Sequence, residues 1–538
     1  MDPSLHVSTV YKERRIVVMT MATISMSSWS DLLLVLVAGI TCLVFLLHGL
    51  RGKGKVSTSV GSKKKLPPGP RGLPILGSLP MLGPLPHQKL CQWAKDYGPI
   101  MCVKMGQIPT IIVSSPQAAQ QFLKTHDLIF ASRPVSEVGR IVFYDFKATS
   151  PTPYGPYWRN ARKLCTLELL SSLKVESFKP MRREEMGLLV KSIQDAAKAR
   201  ETVDLSNKVA SLTRNMTCRM VLGKKYEEDN LGKGGFKAVI EEHMWLAGAF
   251  NIAEYIPSLR ALDIQGIRRR MKAVCNAFDE FLDRIIDEHL QTRDNQHNQQ
   301  QRDFVDFMLS FMESADNELQ FDRTNIKAIL VDLLLAGMDT SSTATEWALS
   351  ELIKHPSAMK KAQQELQTVI GRDRMVDESD LVKLDYLDMV VKESMRLHPP
   401  APFLLPRESM EDCTVNGFHI PKGTRLMINA WAIGRDPDAW PNPEEFNPER
   451  FFGTKIDVRG HDFQLVPFGS GRRGCVGMQL GLTTVRLILA QLIHCFDWEL
   501  GAGMSPANLD MSEKFALVMP RANHLLATPT YRLSDDSS

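Results

Sequence analysis

The apolar pattern of the chain opens with one uninterrupted run. Leu32–Leu47 contains sixteen residues and no charge, and the run extends to nineteen at Leu50. Nineteen residues make roughly 28 Å of helix, enough to cross a bilayer. Arg51, Lys53, Lys55 and Lys63–Lys65 follow it, and basic flanks stay on the cytoplasmic side. Residues 31–50 are therefore expected to form a transmembrane anchor with the bulk of the chain in the cytosol. A cleaved signal peptide fits less well, because the run is long and no small-residue cleavage site follows. The stretch Leu66-Pro-Pro-Gly-Pro-Arg-Gly-Leu-Pro-Ile-Leu-Gly77 cannot be helical and reads as a semi-rigid spacer.

Beyond about Pro80 the periodicity is mainly that of long helices, with strands near both ends. Val103–Val113 reads as two short strands around a turn. Residues 131–157 carry Pro134, Pro151, Pro153 and Pro156 together with Phe143, Tyr144 and Phe146. A long aromatic loop of this kind is more often functional than accidental. Residues 291–301 are polar and read as an exposed connection. From Asp322, an N-cap residue, to Lys354 the chain is free of proline and ends before His355-Pro356. A helix that long crosses a whole domain, yet its middle reads Ala336-Gly-Met-Asp-Thr-Ser-Ser-Thr343. Glycine there costs about 1 kcal/mol relative to alanine, and dense hydroxyls tend to bend a helix. Close packing against a neighbour would explain this weak spot; so would a groove for a small reactant.

Composition narrows the class without changing this outline. The 538 residues are 44% hydrophobic and 23% charged, which excludes a disordered chain, a collagenous chain and a small disulfide scaffold. The single long apolar run excludes a polytopic membrane protein. The net charge of +4 is local: residues 1–65 hold nine Lys and Arg against three acids, and the remainder carries −2. A nucleic-acid partner loses its support. Nine cysteines, an odd number without a C-x-x-C pair, argue against a disulfide framework or a structural zinc site. Met19, Met21 and Met26 each offer a start later than Met1, and residues 1–30 are read as an extension upstream of the natural one.

Candidate chemistry concentrates near the C-terminus, at Phe468-Gly-Ser-Gly-Arg-Arg-Gly-Cys-Val-Gly477. One cysteine sits in a glycine-rich loop just before an apolar helix. The glycines let backbone approach a flat ligand closely. Backbone N–H groups and the helix N-terminus favour a thiolate at Cys475, and Arg473 suits a carboxylate. A lone cysteine is usually a core residue; the whole ten-residue pattern reverses that expectation. Glu393-Ser-Met-Arg396 and Trp158-Arg-Asn-Ala-Arg162 place paired side chains on single helix faces.

These motifs resemble those of the cytochrome P450 haem-thiolate monooxygenases, from about Leu66 to Leu533. Arg396-Leu-His-Pro-Pro400, Pro406-Arg-Glu-Ser409 and Pro448-Glu-Arg-Phe451 are most similar to the membrane-bound plant A-type branch. The resemblance implies a mainly α fold with a smaller β region, a triangular helical prism around one haem b. It implies that Cys475 is the axial ligand of the haem iron, in a loop that also offers Phe468 and Gly477. Trp158, Arg162, Arg407 and Arg473 would reach the haem propionates. Ala336 and Gly337 would leave room for dioxygen, the Thr340 hydroxyl would hold it with a water, and Asp339 would relay protons. Glu393, Arg396 and Arg450 would form a structural network under the haem loop.

The resemblance further implies a division into the 1–30 extension, the 31–50 anchor, a 51–80 linker and an 81–538 catalytic domain. A pocket lined by Phe143, Phe146, Leu334, Phe403, Leu404, Phe515 and Leu517 would take a small apolar substrate, a terpenoid or phenolic of plant secondary metabolism. The sequence holds no flavin or dinucleotide segment, so electrons would come from a membrane-bound NADPH–cytochrome P450 reductase docking near Arg472 and Lys163. The endoplasmic reticulum membrane is the expected location. Two alternatives stand beside monooxygenation. A haem-thiolate isomerase or dehydratase acting on a peroxide would not need Asp339 and Thr340. A haem carrier or sensor would need neither Thr340 nor a reductase.

Overall fold

The computed structural model describes residues 65–226, 235–293, 303–313, 321–501 and 504–534. The expected anchor at 31–50, most of the basic linker and the polar run from 294 onward lie outside these residues; residues 291–293 are the end of a helix rather than a connection. Among the described residues, one helix, Met478–Cys495, is long and apolar enough to cross a membrane, and most of it is buried inside the body.

The longer helices are α1 (Pro86–Tyr97), α2 (Pro156–Leu164), α3 (Lys179–Ala199), α4 (Leu205–Leu222), α5 (Gly235–Gly248), α6 (Ile267–Arg293), α7 (Phe304–Glu313), α8 (Arg323–Lys354), α9 (Pro356–Ile370), α10 (Asp385–Leu397) and α11 (Met478–Cys495). The strands are β1 (Ile100–Met105), β2 (Ile108–Val113), β3 (Val203–Asp204), β4 (Arg407–Glu408), β5 (Cys413–Val415), β6 (Phe418–Ile420), β7 (Arg425–Ile428), β8 (Phe496–Leu500) and β9 (Leu526–Tyr531). They form sheets in the orders β1-β2-β7-β4, β3-β9-β8 and β5-β6.

The expected pair of strands around a turn is present. Ile100 pairs with Val113 and Met105 with Ile108 in antiparallel register, and β7 adds parallel to β2, Thr110 to Arg425. Alternation along β1 and β2 serves two cores. Met101, Val103, Met105 and Ile112 pack on Leu90 and Trp93 of α1, whereas Ile100, Ile111 and Val113 join Phe122, Phe130 and Leu426.

The third and largest core surrounds α8. This helix spans 32 residues, about 48 Å. A capping box starts it: Asn325 N donates to Asp322 Oδ1 at 2.8 Å, and Asp322 N donates to Asn325 Oδ1 at 2.9 Å. Pro356 follows His355 and stops it. Its weak centre has a packing cause at Gly337. A Cβ there would lie 3.1 Å from both Cγ2 and Oγ1 of Thr217 on α4, so a side chain at 337 would need Thr217 to give by a few tenths of an ångström. One turn of α4 earlier, Thr213 donates to the Met338 carbonyl at 2.7 Å.

The expected aromatic loop at 131–157 is largely irregular, with a short helix at Glu137–Ile141. Tyr144, Asp145 and Phe146 all have left-handed φ values, 48°, 56° and 65°. Three such residues in a row are costly for L side chains. The Tyr144 hydroxyl donating to Asp279 of α6 at 2.8 Å helps to hold them.

The far end of α6 is fastened to α7 by one ion pair. His289 Nδ1 donates to the Ile285 carbonyl at 2.7 Å, and Nε2 meets Asp303 Oδ2 at 2.8 Å. Burial disfavours the imidazolium, but the Asp303 carboxylate and the Ile285 carbonyl outweigh it and hold His289 up at about 9. A histidine raised in the folded state adds stability that is complete below its ordinary value of about 6.5 and is lost as pH rises through the folded value. His289→Gln should therefore flatten the fall in thermal midpoint between about pH 7 and 9. A variant whose midpoint falls over that window as steeply as the parent would remove His289 as the cause.

Candidate active site

Cys475 sits where the loop after Phe468 turns into α11. Its N–H donates to the Phe468 carbonyl at 2.9 Å. Gly469 and Gly471 take left-handed φ values of 69° and 68°. At Gly471 a Cβ would fall 2.5 Å from Asp127 Oδ1 and 2.6 Å from the Leu123 carbonyl, so the tight loop needs glycine there. Asp127, almost fully buried, fastens the loop. It accepts from the Arg472 backbone N–H, from Arg472 Nη1 at 2.7 Å and from Arg407 Nη1 at 3.2 Å. Cys475 keeps accessible surface, although protein crowds its thiol. Burial pushes it up, while the Gly477 N–H and the Arg162 charge pull it down.

Along α8, Asp332, Ala336 and Thr340 recur every four residues and so share one stripe. Ala336 is exposed and Thr340 half-buried, within a helix otherwise almost wholly buried. The Thr340 hydroxyl donates to the Ala336 carbonyl at 2.8 Å, which leaves its oxygen free to accept. Asp339 is half-buried beside the stripe. Burial raises its carboxyl, opposed by Arg214 of α4 and reinforced by Glu241 of α5. Gly337 faces Thr217, so the opening at this point is made by Ala336.

Four guanidinium groups converge beside the loop. Arg473 donates to the carbonyls of Ala131, Thr149 and Thr152. Arg133 donates to those of Ser150, Leu405 and Pro406, Arg407 to that of Ser470, and Arg162 to that of Gly474. Trp158 donates to the Thr149 carbonyl at 3.1 Å and lies 4.1 Å under Arg473. Arg159 points away and rests on Tyr154.

Burial and mutual repulsion push Arg133 well below the usual arginine range and Arg473 down to about 9; burial brings Arg407 down to about 10. The two carboxylates among them are Asp127 and Asp332. Asp332 accepts from the backbone N–H groups of Thr149 and Ser150 and from both their hydroxyls. Arg133, Asp127, Asp332 and Arg214 escape a motif-based reading. Only Asp332 has a local signal, its place one turn before Ala336 on the same stripe. Of the expected pocket residues, Leu334 and Phe143 are core, whereas Phe403, Leu404, Phe515 and Leu517 are only partly buried.

A wide surface groove of about 910 Å³ lies elsewhere, between α9 and β8, and includes none of these side chains.

The cytochrome P450 family model matches residues 67–527. The chain belongs to the cytochrome P450 family. It is 56% identical to cytochrome P450 CYP736A12 of Panax ginseng over 475 residues, 87% of this chain and 94% of the relative. It is 43% identical to the flavonoid 3'-monooxygenase of Petunia hybrida, over 87% of this chain and 92% of that one. Among solved structures, a zebra fish cytochrome P450 with abiraterone superposes with a TM-score of 0.69 at 26% identity, covering 84% of this chain and all of the other.

A cytochrome P450 is an oxygen-incorporating oxidoreductase with a haem iron, and the residues present fit that group. Four arginines against two carboxylates leave an excess of two positive charges, even before Arg472 shares Asp127. Arginine stays charged at any working pH, so the excess matches a flat ligand bearing two carboxylates. The exposed cysteine beside them, Cys475, would bind that ligand's metal. The start of α11, with Met478, Leu480 and Leu482 only half-buried, precedes a remainder that is buried apart from Thr483 and Arg486.

A buried ion network joins α10 to the segment around 434–450. Glu393 accepts from Arg396 Nε and Nη2 at 2.7 and 2.8 Å, from Arg450 Nε at 2.8 Å and from the Asn447 N–H at 2.8 Å. Arg396 also donates to the carbonyls of Gly434, Pro443 and Glu445. Every group is satisfied, and one carboxylate serves two guanidinium ions. Glu393→Gln should cost about 3–5 kcal/mol and lower haem content, read by denaturant unfolding and by haem absorbance. Parental stability in that variant would refute the assignment.

Proposed function

We propose that this P450 hydroxylates a small apolar substrate of plant secondary metabolism, a terpenoid or a phenolic. The observation that carries the reading is an accessible cysteine, Cys475, beside converging arginines and within electrostatic reach of Asp332, which shares the Ala336–Thr340 stripe of α8. The similar flavonoid 3'-monooxygenase supports the phenolic class. Electrons would come from a membrane-bound NADPH-dependent reductase. Lys163 is exposed and Arg472 partly so, though Arg472 is tied to Asp127, which makes Lys163 the better contact. The 31–50 anchor would place the enzyme on the endoplasmic reticulum membrane with this body in the cytosol.

Bound at Cys475, the haem iron supplies the activation of dioxygen, which the thiolate ligand favours. The chain's own residues do the rest. Arg133, Arg162, Arg407 and Arg473 hold the haem carboxylates. Burial raises the Cys475 thiol overall, and the Gly477 N–H and Arg162 partly offset it in favour of the thiolate. Ala336 keeps space open for a diatomic reactant. The Thr340 oxygen, with its proton already given to the Ala336 carbonyl, accepts from a water and fixes it in the opening. Asp339, raised by burial, holds a proton more readily than an exposed aspartate and can pass it toward that water.

Two outcomes test this. Cys475→Ala should abolish the thiolate-type absorbance of the reduced carbon monoxide complex; retention of that band would refute the ligand assignment. Thr340→Ala should keep the band but divert reducing equivalents, so that less hydroxylated product and more hydrogen peroxide form per NADPH consumed. Coupling equal to the parent's would count against the proton-relay role.

A further inference from the structure

Away from Cys475, three distant stretches of chain meet on one carboxylate. Glu513 Oε2 accepts from His87 Nε2 at 2.8 Å and Gln88 Nε2 at 2.9 Å, both on α1, and Oε1 accepts from Trp431 Nε1 at 3.0 Å. The His87 side chain is fully buried and that of Glu513 is 7% exposed. His87 Nδ1 is buried without a partner, so the Glu513 contact through Nε2 is what orients this ring. Burial opposes the Glu513 charge, yet these donors hold its carboxyl down at about 2. Arg435 stacks 3.9 Å over the Trp431 ring and adds positive charge behind it.

Glu513 opens a hairpin. It bridges to Arg521, and the Lys514 N–H donates to the Pro520 carbonyl at 3.0 Å. The return limb is pinned too: the Met519 N–H donates to the Pro400 carbonyl at 2.8 Å, and Trp347 of α8 donates to the Met519 carbonyl at 2.9 Å. Phe515 projects from this hairpin, 38% exposed. Its ring stacks on His87 at 5.7 Å and meets Phe403 edge-on at 6.2 Å. Leu404, beside Phe403, approaches Gly469 of the cysteine loop, and Leu517 lies against Gly248 at the end of α5. The hairpin thus runs between the cysteine loop and α5, and the ring that carries Phe515 is itself held by Glu513.

We propose that Glu513 is a positioning residue for substrate selection: through His87 and Trp431 it fixes the Phe515–Phe403 wall of the pocket. The inference rests on the reading that these two rings border the substrate. Unlike the arginines, Glu513 acts on the shape of the pocket and not on the charge around the thiolate. Loss of the carboxylate frees the His87 ring to turn, and Phe515 follows it.

Spectral titration of the haem-loaded enzyme with imidazole and with 4-phenylimidazole tests this without turnover. Both bind iron through nitrogen, and only the second reaches for the wall. Glu513→Ala should change the ratio of the two dissociation constants by about three- to tenfold, with Phe515→Ala changing it in the same direction. The imidazole value in Glu513→Ala should stay within about twofold and the reduced carbon monoxide band should persist. Glu513→Gln and Trp431→Phe, which keep the bulk, should give smaller changes of the same sign and replace Glu513→Ala if that variant does not load haem. A merely structural role would lower stability and leave the ratio alone. An unchanged ratio in the loaded Glu513 variants overturns the proposal, whether or not Phe515→Ala moves it. Loss of imidazole binding in the parent would overturn the haem-thiolate reading instead.

Discussion

Three buried arginines and the half-buried Arg162, repelling one another, set the terms on which the loops around Cys475 are held. Arg133, Arg162, Arg407 and Arg473 lie in one shell, and the carboxylates set among them are Asp127 and Asp332. Their hydrogen bonds go to backbone carbonyls of three chain segments, around 131–152, 405–406 and 470–474. The repulsion is therefore built into the scaffold rather than relaxed by side-chain movement. Carbonyl dipoles soften it and two carboxylates halve it; the remainder is left for the haem. Folding and cofactor binding are coupled through this shell, because the same guanidinium groups that wait for the ligand also tie the loops together.

Helix α8 distributes its work by helical period. The 332–336–340 stripe faces the site: Asp332 holds the Thr149–Ser150 backbone, Ala336 gives space and Thr340 offers a hydroxyl oxygen. The adjoining stripe, with Gly337, fits α4. Asp339 lies between them and answers to Arg214. Toward its C-terminal end, Trp347 stacks on His398 at 4.0 Å and holds the hairpin that carries Phe515. One element thus touches the reacting region, its electrostatic shell and the wall of the pocket.

What could be read from the sequence was whatever is local. The bounds of α8, set by Asp322 and Pro356, follow from cap and breaker chemistry. The β1–β2 pair and the helix after Gly477 follow from period and punctuation. Cys475 and Arg473 are legible because both stand in one ten-residue motif, and the Glu393–Arg396 pair because the two lie three residues apart. Arg133, Asp127, Arg214 and Glu513 are not, because each acquires its role from chain hundreds of residues away: Asp127 meets Arg472, and Glu513 meets His87. Gly337 shows the opposite limit. Its residue type is conspicuous in the sequence, but whether it made room for a reactant or for a neighbouring helix depended on Thr217, which no spacing rule connects to it.

That contact also bears on how the family's members can diverge. A side chain at 337 and the methyl and hydroxyl of Thr217 compete for the same 3.1 Å, and Thr213 fastens α4 to the carbonyl one residue on. A side chain at 337, or a larger one at 217, needs its neighbour to give by a few tenths of an ångström. An enlargement at 337 is therefore accommodated most easily where 217 has already become smaller, so α4, which carries no reacting group, shares in deciding which residues α8 can accept.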